Sequence, residues 1–283
     1  MPLQGSHRSP AEPAGSPPVR PRDVATWLAA AHDFADAAGQ AIRPYFRRRL
    51  TVDNKDDGGG FDPVTAADRA AERAIARELK RRFPTHGIAG EEYGAERAGA
   101  RLRWIVDPID GTKAFILGLP TWGTLIGLLD GETPIVGLMD QPFTQERFWA
   151  GQKGAWHRVG DGKPKRLRTR ACGKLADAMM ATTSPDLFKA GLESERFQAM
   201  RRATRMTRYG TDCYAYCLVA AGHLDLVVEA GLKPVDIVAL IPIIEQAGGC
   251  VTSWTGGSAI EGGRVVASGD PKLHEAALKL LAR

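Results

Sequence analysis

This chain is organised around the stretch Trp104-Ile-Val-Asp-Pro-Ile-Asp-Gly-Thr-Lys-Ala-Phe115. Its first three residues are apolar and predict a buried strand that delivers Asp107 to the strand's end. Pro108 has no backbone N–H to give to a sheet, so we expect the strand to stop there. Asp110 follows within one turn, and Gly111-Thr112 opens a short helix. The pattern therefore places two carboxylates close together beside the backbone N–H groups of a helix start.

Two neighbouring carboxylates at such a position favour a bound cation. Without one, they would repel each other and be partly protonated. Carboxylate oxygens suit Mg²⁺, and the amides at a helix start suit phosphate, so the segment predicts a magnesium-and-phosphate site. The structural alternative is a strand that ends in an Asp-Pro turn, with Asp110 as a helix cap. This segment alone leaves both interpretations open.

The segment Asp107-Pro-Ile-Asp-Gly-Thr112 resembles the first signature of the inositol monophosphatase superfamily, whose members are Mg²⁺-dependent phosphatases of small molecules. The following Lys113-Ala-Phe115 is more similar to the histidinol-phosphate phosphatase branch, because the superfamily more usually has Thr-Asn-Phe at this point. The resemblance spans roughly Asp23 to the C-terminus. It implies a layered αβαβα sandwich of α/β (α+β) class and a homodimer.

The order of predicted elements divides the chain into a tail and two lobes. Residues 1–22 are rich in Pro, Ser, Gly and Arg and predict a disordered tail. Residues 23–170 predict an N-terminal lobe with the metal site and a largely antiparallel sheet, since short alternating strands follow one another with turns between them. Residues 171–283 alternate strand-like and helix-like pieces, which indicates a C-terminal α/β lobe that completes the active site.

A helix and a glycine-rich loop precede the central stretch. The helix is predicted to run from Asp23 toward Leu50, amphipathic along its length and kinked at Pro44. The polar loop after it contains three successive glycines. The resemblance implies that this loop is the superfamily's mobile flap, with Lys55 near the metal ions. A flexible surface linker is the alternative.

Thr65 and Asp68 form a predicted capping box at the start of a second helix, which ends near Phe83. That structural role accounts for both residues. The resemblance implies in addition that Asp68 orients the attacking water together with Thr112. The two roles are compatible, because a carboxylate at a helix start is well placed to point into a neighbouring site.

Two further metal ligands are expected outside the central stretch. Residues 87–93 predict a strand that ends in paired acids, and its short connection to the next strand suggests that the two strands are neighbours. The resemblance places a ligand at the first of these acids, Glu91. It places another at Asp236, in the first turn of a predicted helix, where Val235 replaces the superfamily's common Trp. Favourable interaction with the helix dipole is the structural alternative for Asp236.

Four residues are candidates for contacts with the remainder of the substrate. Gly210 and Thr211 lie in a predicted strand-to-helix turn whose amides could meet a substrate. Asp212 is interpreted first as a helix cap, whereas Glu229 is predicted at the end of a strand beside the cleft. Together the two acids would suit an amine or imidazolium. Histidinol phosphate carries both groups, while inositol phosphate offers only hydroxyls.

The resemblance implies a mechanism for these residues. One Mg²⁺ would be held by Glu91, Asp107 and the carbonyl of Ile109, and a second by Asp107, Asp110 and Asp236; a third ion is left open. The phosphate would be bound by the amides of Gly111 and Thr112. The catalytic residues would be Asp68, Thr112 and Glu91. The predicted reaction is hydrolysis of L-histidinol phosphate, a step of histidine biosynthesis, by in-line attack of water activated by the metal ions.

Two rival functions are retained. The nearer rival is an inositol-1-phosphate or other small sugar-phosphate phosphatase that uses the same metals. The farther rival is a non-catalytic binding protein on the same scaffold, and the complete set of acids argues against it.

Composition restricts the other classes of function. The chain has 283 residues, of which 43% are hydrophobic and 25% charged, as in a soluble globular protein. Its net charge of +5 lies in local clusters without aromatic interleaving, so we expect a small phosphate ester and no nucleic acid as partner. No apolar run is long enough for a membrane span, and no secretory signal is expected. Four cysteines without a C-x-x-C pair favour a reducing cytosol.

Overall fold

The computed structural model of the protein describes residues 19–55, 62–151 and 153–282. The helices are α1 (Pro21–Ile42), α2 (Ala66–Arg82), α3 (Thr112–Leu117), α4 (Leu192–Ala203), α5 (Asp212–Ala220), α6 (Pro234–Ile237), α7 (Leu240–Ala247) and α8 (Pro271–Leu281). The strands are β1 (Val52–Asn54), β2 (Pro63–Thr65), β3 (Gly87–Gly90), β4 (Gly94–Glu96), β5 (Leu102–Asp110), β6 (Gly123–Asp130), β7 (Thr133–Gln141), β8 (Glu146–Gly151), β9 (Gly154–Val159), β10 (Lys165–Arg166), β11 (Met179–Thr182), β12 (Met206–Tyr209), β13 (Leu226–Leu232), β14 (Cys250–Ser253) and β15 (Gly263–Ser268).

The larger sheet has eight strands in the order β10-β9-β8-β7-β6-β5-β3-β4. All neighbours in it are antiparallel except β3 and β5, which run parallel. The prediction of a largely antiparallel sheet is confirmed, and so is the adjacency of the two strands that lead to Glu91 and Asp107. Both acids therefore leave the sheet at the same edge.

The smaller sheet has five strands in the order β12-β11-β13-β15-β14. β11 runs parallel to both of its neighbours, and β15 runs antiparallel to both of its own. β1 and β2 form a separate antiparallel pair, from Val52 opposite Thr65 to Asn54 opposite Pro63. The glycines of the predicted flap, at 58–60, lie outside the described residues.

Helices and sheets alternate in five layers. α1 and α2 bury Phe34 and Ile75 against one face of the larger sheet. α5 and α7 fill the space between the two sheets, with Val219 and Ile243 fully buried there. α4 and α8 cover the outer face of the smaller sheet and bury Phe197. Each such side chain contributes about 1.5–3 kcal/mol by its burial. The predicted αβαβα sandwich of α/β class is confirmed.

The prediction that Pro108 ends its strand is wrong, because β5 continues through Pro108 to Asp110. β3 pairs with β5 only as far as Val106, so on that side no carbonyl needs the N–H that Pro108 lacks. On the other side, the ladder with β6 is irregular between Asp107 and Asp110. The Pro108 carbonyl instead accepts a hydrogen bond of 2.8 Å from the hydroxyl of Thr124.

The first helix is shorter at its end than predicted. α1 stops at Ile42, and turns replace the kinked continuation, because Pro44 cannot supply the amide that another helical turn would need. Its start, Pro21, lies two residues before the predicted start, Asp23, and residues 1–18 lie outside the described residues. The lobe boundary between residues 170 and 171 falls between β10 and β11 and stays a prediction. Within the described residues, no helix is both long and apolar enough to cross a membrane.

Candidate active site

Three aspartates from two distant segments of the chain converge on one point. Asp107 and Asp110 belong to the end of β5, and Asp236 lies in the first turn of α6. One carboxylate oxygen from each of these residues, which we call the acid triad, lies within 4.8 Å of the others. In a regular strand, residues three apart point to opposite faces. The irregularity between Asp107 and Asp110 lets both acids face the same point.

Backbone N–H groups hold each carboxylate of the acid triad. Oδ1 of Asp107 accepts a bond of 2.9 Å from the amide of Ile109. Oδ2 of Asp110 accepts one of 2.8 Å from the amide of Cys213, in the first turn of α5. Oδ2 of Asp236 accepts one of 2.6 Å from the amide of Lys233. These bonds favour the ionised carboxylates and fix their orientation.

Burial and mutual repulsion nevertheless raise the pKa of all three carboxyls. The pKa of Asp107 lies well above its usual range because the group is desolvated and faces Glu91 and the other acids of the triad. Burial, with the charges of Asp212 and Asp236, raises the pKa of Asp110 in the same way. Burial also raises the pKa of Asp236 to about 6. A cation among these oxygens would favour their ionised forms.

The donors available at this point fit Mg²⁺. The acid triad offers carboxylate oxygens alone, without a nitrogen or sulfur donor, and Mg²⁺ prefers such hard ligands. Asp68 faces the same region, since its charge helps to raise the pKa of Asp107. Within the described residues, the buried Oδ1 of Asp68 has no hydrogen-bond partner. An oriented water among these acids would satisfy it.

Glu91 lies beside the acid triad and outside it. Its Oε1 accepts hydrogen bonds from Nζ of Lys55 at 3.1 Å and from Nζ of Lys233 at 3.3 Å. Its charge is among the causes of the raised pKa of Asp107 and of Asp236, so the carboxylate is close to both. The structure thus places Glu91 next to the acid triad. Its assignment as a metal ligand stays a prediction.

Lys55, the predicted flap lysine, contacts both acids of the pair that follows β3. Besides Glu91, its Nζ donates to Oε1 of Glu92 at 2.8 Å. It also lies 3.9 Å from the carboxylate of Asp62. Lys55 immediately precedes the undescribed residues 56–61, and Asp62 follows them. The two ends of this segment therefore meet at the acids beside the triad.

The capping box at the start of α2 is confirmed. Oδ2 of Asp68 accepts the Thr65 amide at 2.8 Å and the Thr65 hydroxyl at 2.6 Å, and the same hydroxyl accepts the amide of Ala67. Burial raises the pKa of Asp68 to about 6, against the effect of these bonds. The hydroxyl of Thr112 donates to the Ile109 carbonyl at 3.0 Å. The structure does not bring Thr112 into a hydrogen bond with Asp68 in the described part of the chain.

Gly111 occupies a position that requires glycine. It precedes α3 with φ +82°, a backbone conformation that residues with a Cβ rarely adopt. A Cβ placed there would lie 3.1 Å from both Cβ and Cγ of Asp212. The backbone at Gly111 and the side chain of Asp212 are therefore in close contact, which brings the predicted phosphate loop against the start of α5.

The start of α5 differs from the prediction in one respect. Thr211 occupies the cap position, and Asp212 is the first residue of the helix, so Asp212 is not the cap. Gly210 has φ +72°, and its amide donates to the carbonyl of Thr183 at 2.9 Å. Burial raises the pKa of Asp212 to about 6, while the charge of Lys113 opposes that rise. The carboxylate of Asp212 thus belongs to the same electrostatic system as Asp110.

Glu229 was expected at the end of a strand and lies inside β13. Its carboxylate is buried and accepts three hydrogen bonds: from the Thr183 amide at 2.7 Å, the Thr183 hydroxyl at 3.0 Å and the Thr182 hydroxyl at 3.2 Å. Burial raises its pKa to about 8. The carboxylate therefore helps to join β11 to β13, and its contact with substrate stays a prediction.

Several residues that shape the site were not found from the sequence. The amide of Cys213 holds Asp110, and the side chain of Lys233 reaches Glu91 from a distant segment of the chain. Lys233 lies 3.8 Å from Asp62 as well. Its position three residues before Asp236 is the one signal that would have indicated it, since residues that flank a ligand often neighbour the bound ion.

The chain also matches a model of a known protein family. Residues 23–283 match the model of the inositol monophosphatase family. The chain belongs to the inositol monophosphatase family. It is accordingly a metal-dependent phosphatase, a class whose members act on small phosphate esters and depend on Mg²⁺.

The relatives of the chain within the family carry more than one activity in their names. The chain is 42% identical to a bifunctional phosphatase, IMPL2, of Arabidopsis thaliana, over 98% of this chain and 79% of that protein. It is 36% identical to a histidinol-phosphatase of Mycobacterium tuberculosis, over 88% of this chain and 95% of that protein. A solved inositol monophosphatase from Zymomonas mobilis is similar with a TM-score of 0.81 and 41% identity, over 92% of this chain and 98% of that one. The fold and the family are thus shown, while the names of the similar proteins point to more than one substrate.

Proposed function

We propose that the protein is a Mg²⁺-dependent histidinol-phosphate phosphatase. The observation that carries this proposal is the self-repelling acid triad, in which Asp107 is buried and the other two acids are partly buried, with the charge of Asp212 close to it. The triad is suited to a divalent cation, and Asp212 is suited to a cationic group on the substrate. The similarity to named histidinol-phosphatases supports the same substrate.

We assign the metal ligands as two overlapping sets, which would hold two ions. Glu91, Asp107 and the carbonyl of Ile109 form one set, and the three acids of the triad form the other. When bound, Mg²⁺ would activate water and neutralise charge on the phosphoryl group. Lys55 and Lys233 hold Glu91 at the edge of this region.

The protein's own residues would orient the reacting groups. Asp68 presents a buried oxygen that has no hydrogen-bond partner among the described residues and can accept a hydrogen bond from the attacking water. The hydroxyl of Thr112 is fixed by the Ile109 carbonyl, so its oxygen remains free to accept a second hydrogen bond. Gly111 keeps the backbone open to the phosphate, because no side chain projects from it. These contacts would place water, phosphorus and leaving oxygen in line.

The leaving group would lie toward α5 and β13. Asp212 and Glu229 would accept hydrogen bonds from the amine or imidazolium, with the amide of Thr211 nearby, whereas the amide of Gly210 already donates to the Thr183 carbonyl. The charge of Asp212 is among the causes of the raised pKa of Glu229, so the two carboxyls lie close together. A cationic substrate would relieve that repulsion.

The test is phosphate release from histidinol phosphate, inositol 1-phosphate and a sugar phosphate, with MgCl₂ and with EDTA. We expect kcat/KM for histidinol phosphate to exceed that for the others at least about tenfold, because one charge-assisted hydrogen bond contributes about 1.5–3 kcal/mol. EDTA should abolish all release. A preference for inositol 1-phosphate would overturn the substrate assignment and leave the metal assignment standing.

Inositol-1-phosphate phosphatase is the second candidate. The three hydrogen bonds that Glu229 already accepts favour it, because they reduce the need for a cationic partner. Relatives named inositol monophosphatase, such as the 32% identical protein of Mesembryanthemum crystallinum, agree with it. The substrate panel separates the two candidates.

Two further assignments rest on the resemblance and on cysteine usage. We propose that the protein is a homodimer, which sedimentation would test. We also propose that it acts in a reducing cytosol, since all four of its cysteines are free. Cell fractionation would test the compartment.

A further inference from the structure

A carboxylate outside the assigned site holds the turn that carries Glu91. Glu72 projects from α2, is 2% exposed, and accepts two backbone N–H bonds from the residues that follow β3. Its Oε2 accepts the amide of Glu92 at 2.8 Å, and its Oε1 accepts the amide of Tyr93 at 3.0 Å. Both oxygens of one buried side chain are thus committed to one turn of the backbone.

The backbone before this turn is shaped to admit the same carboxylate. A Cβ placed on Gly90, the last residue of β3, would lie 1.8 Å from Oε1 of Glu72 and 2.4 Å from its Cδ. No side chain fits there unless Glu72 moves. The carboxylate therefore contacts the chain on both sides of Glu91, at Gly90 before it and at the amides of Glu92 and Tyr93 after it.

This arrangement fixes the peptide unit that joins Glu91 to Glu92. A bidentate carboxylate that accepts two consecutive amides orients both peptide planes, and charge-assisted bonds of this kind are roughly twice as strong as neutral ones. The direction in which the side chain of Glu91 leaves the backbone is set by that orientation. Lys55 and Lys233 contact the far end of the same side chain but leave its backbone unconstrained.

We propose that Glu72 is a positioning residue for the metal centre: it holds the backbone at Glu91 so that this carboxylate faces the acid triad. The inference rests on the proposed role of Glu91 as a metal ligand. Outer residues that orient ligands typically contribute about 10–100-fold in metal affinity or activity. Glu72 acts through Glu91 and touches neither substrate nor ion.

Glu72→Gln tests the proposal because it keeps the volume and removes one acceptor. The amide NH₂ of Gln would face one of the two backbone N–H groups, so only one of the two bonds can form. Mg²⁺ affinity is measured by calorimetry with MgCl₂ and no substrate, and the melting temperature is measured in EDTA. Glu78→Gln, at a partly buried carboxyl of the same helix that pairs with Arg81, is the matched control.

We expect Glu72→Gln to raise the Mg²⁺ dissociation constant at least about tenfold, with Glu78→Gln unchanged. Gly90→Ala is the second variant: it displaces the Glu72 carboxylate without removing any carboxyl group from the chain, and we expect the same loss. If either variant folds and binds Mg²⁺ within about twofold of the wild type, a merely structural role is shown and the proposal fails.

Failure of the proposal for Glu72 can be distinguished from failure of the proposed function. Wild-type protein that binds Mg²⁺ but releases no phosphate from the substrate panel would overturn the phosphatase assignment alone. Wild-type protein that binds no Mg²⁺ would overturn both. Loss of folding in both variants, seen as absent melting transitions, would also overturn the proposal, since Glu72 would then serve the fold and not the site.

Discussion

Lys233 and Glu91 come from distant segments of the chain and meet through their side chains, with 3.3 Å between Nζ and Oε1. Nζ of Lys55 reaches the same oxygen at 3.1 Å. Asp62 lies within 3.9 Å of each lysine as well. The side chains of two lysines and two acids thus form one network. It connects the end of β3 and the start of α6 with the residues on either side of the segment 56–61. This network adjoins the acid triad and therefore influences any cation bound there.

Lys233→Met is expected to tighten Mg²⁺ binding. Lys233 places a positive charge beside Glu91, and it lowers the pKa of Asp236, so it opposes a second cation at these acids. Its side chain is about half exposed, so the effect is about threefold in the dissociation constant. Calorimetry with MgCl₂ measures it. Lys279→Met, which removes an exposed ion pair on α8, is the control, and weaker binding in Lys233→Met would contradict the expectation.

Asp107→Asn should lower turnover by about 10³-fold without loss of the fold, because Asp107 belongs to both proposed ligand sets. Asn keeps an oxygen to accept the Ile109 amide. In EDTA the variant should melt at a higher temperature than the wild type, since one of three mutually repelling carboxyls is gone. Steady-state kinetics and thermal melts measure the two effects. Asp53→Asn, at an exposed ion pair, is the control, and near-wild-type turnover would end the proposal for this residue.

The buried carboxyls of the metal-free protein should contribute less stability as the pH rises from about 4 to about 8, whereas His32, whose pKa burial lowers to about 4, contributes in the opposite sense up to about pH 6.5. Burial raises the pKa of Asp68, Asp212 and Asp236 to about 6, and that of Glu229 to about 8. Raised pKa values mean that the folded state binds more protons than the unfolded state in this range, so the free energy of unfolding falls with pH. The decline begins near the ordinary carboxyl pKa and ends above the raised values.

Thermal melts in EDTA across this pH range measure the decline. Mg²⁺ at saturation should remove the part that belongs to the acid triad, because a bound cation favours the ionised carboxylates. The fall in stability that is due to Glu229 should remain, since that residue is not assigned as a metal ligand. A melting temperature in EDTA that rises steadily from pH 5 to pH 8 would contradict this account.

The sequence predicted well those parts of the site that depend on local chemistry. Asp107 and Asp110 stand three residues apart beside a glycine, and Thr65 with Asp68 forms a capping box within one turn. In both cases, neighbours along the chain determine the geometry. The layered sandwich was implied by the resemblance to the inositol monophosphatase superfamily, whereas the alternation of strand-like and helix-like segments indicated only an α/β C-terminal part.

The remaining features depend on contacts between distant segments. Pro108 is tolerated within β5 because β3 ends its pairing at Val106, which the sequence of β5 does not reveal. Glu229 is enclosed because β11 and β13 pair in parallel, with Ala181 opposite Val227, and this pairing brings Thr182 and Thr183 to it. Lys233 meets Glu91 across 142 positions of sequence. Such relationships arise only from the tertiary arrangement.

Asp212→Asn should distinguish the two candidate substrates. Asn has nearly the same shape and preserves the close contact at Gly111, while the charge that would meet an amine or imidazolium is lost. We expect kcat/KM for histidinol phosphate to fall about 10–100-fold, as expected for one charge-assisted hydrogen bond. Turnover of inositol 1-phosphate should change less than about threefold on the same scale. Asp177→Asn, at an exposed position, is the control.

An equal fall for both substrates would have a different cause. The charge of Asp212 helps to raise the pKa of Asp110, so its removal also changes the acid triad. In that case Mg²⁺ affinity, measured without substrate, would move together with both activities, and Asp212 would act through the metal centre. Unchanged Mg²⁺ affinity with a selective loss for histidinol phosphate is the result that assigns Asp212 to the substrate, because only a direct contact discriminates between a cation and a hydroxyl.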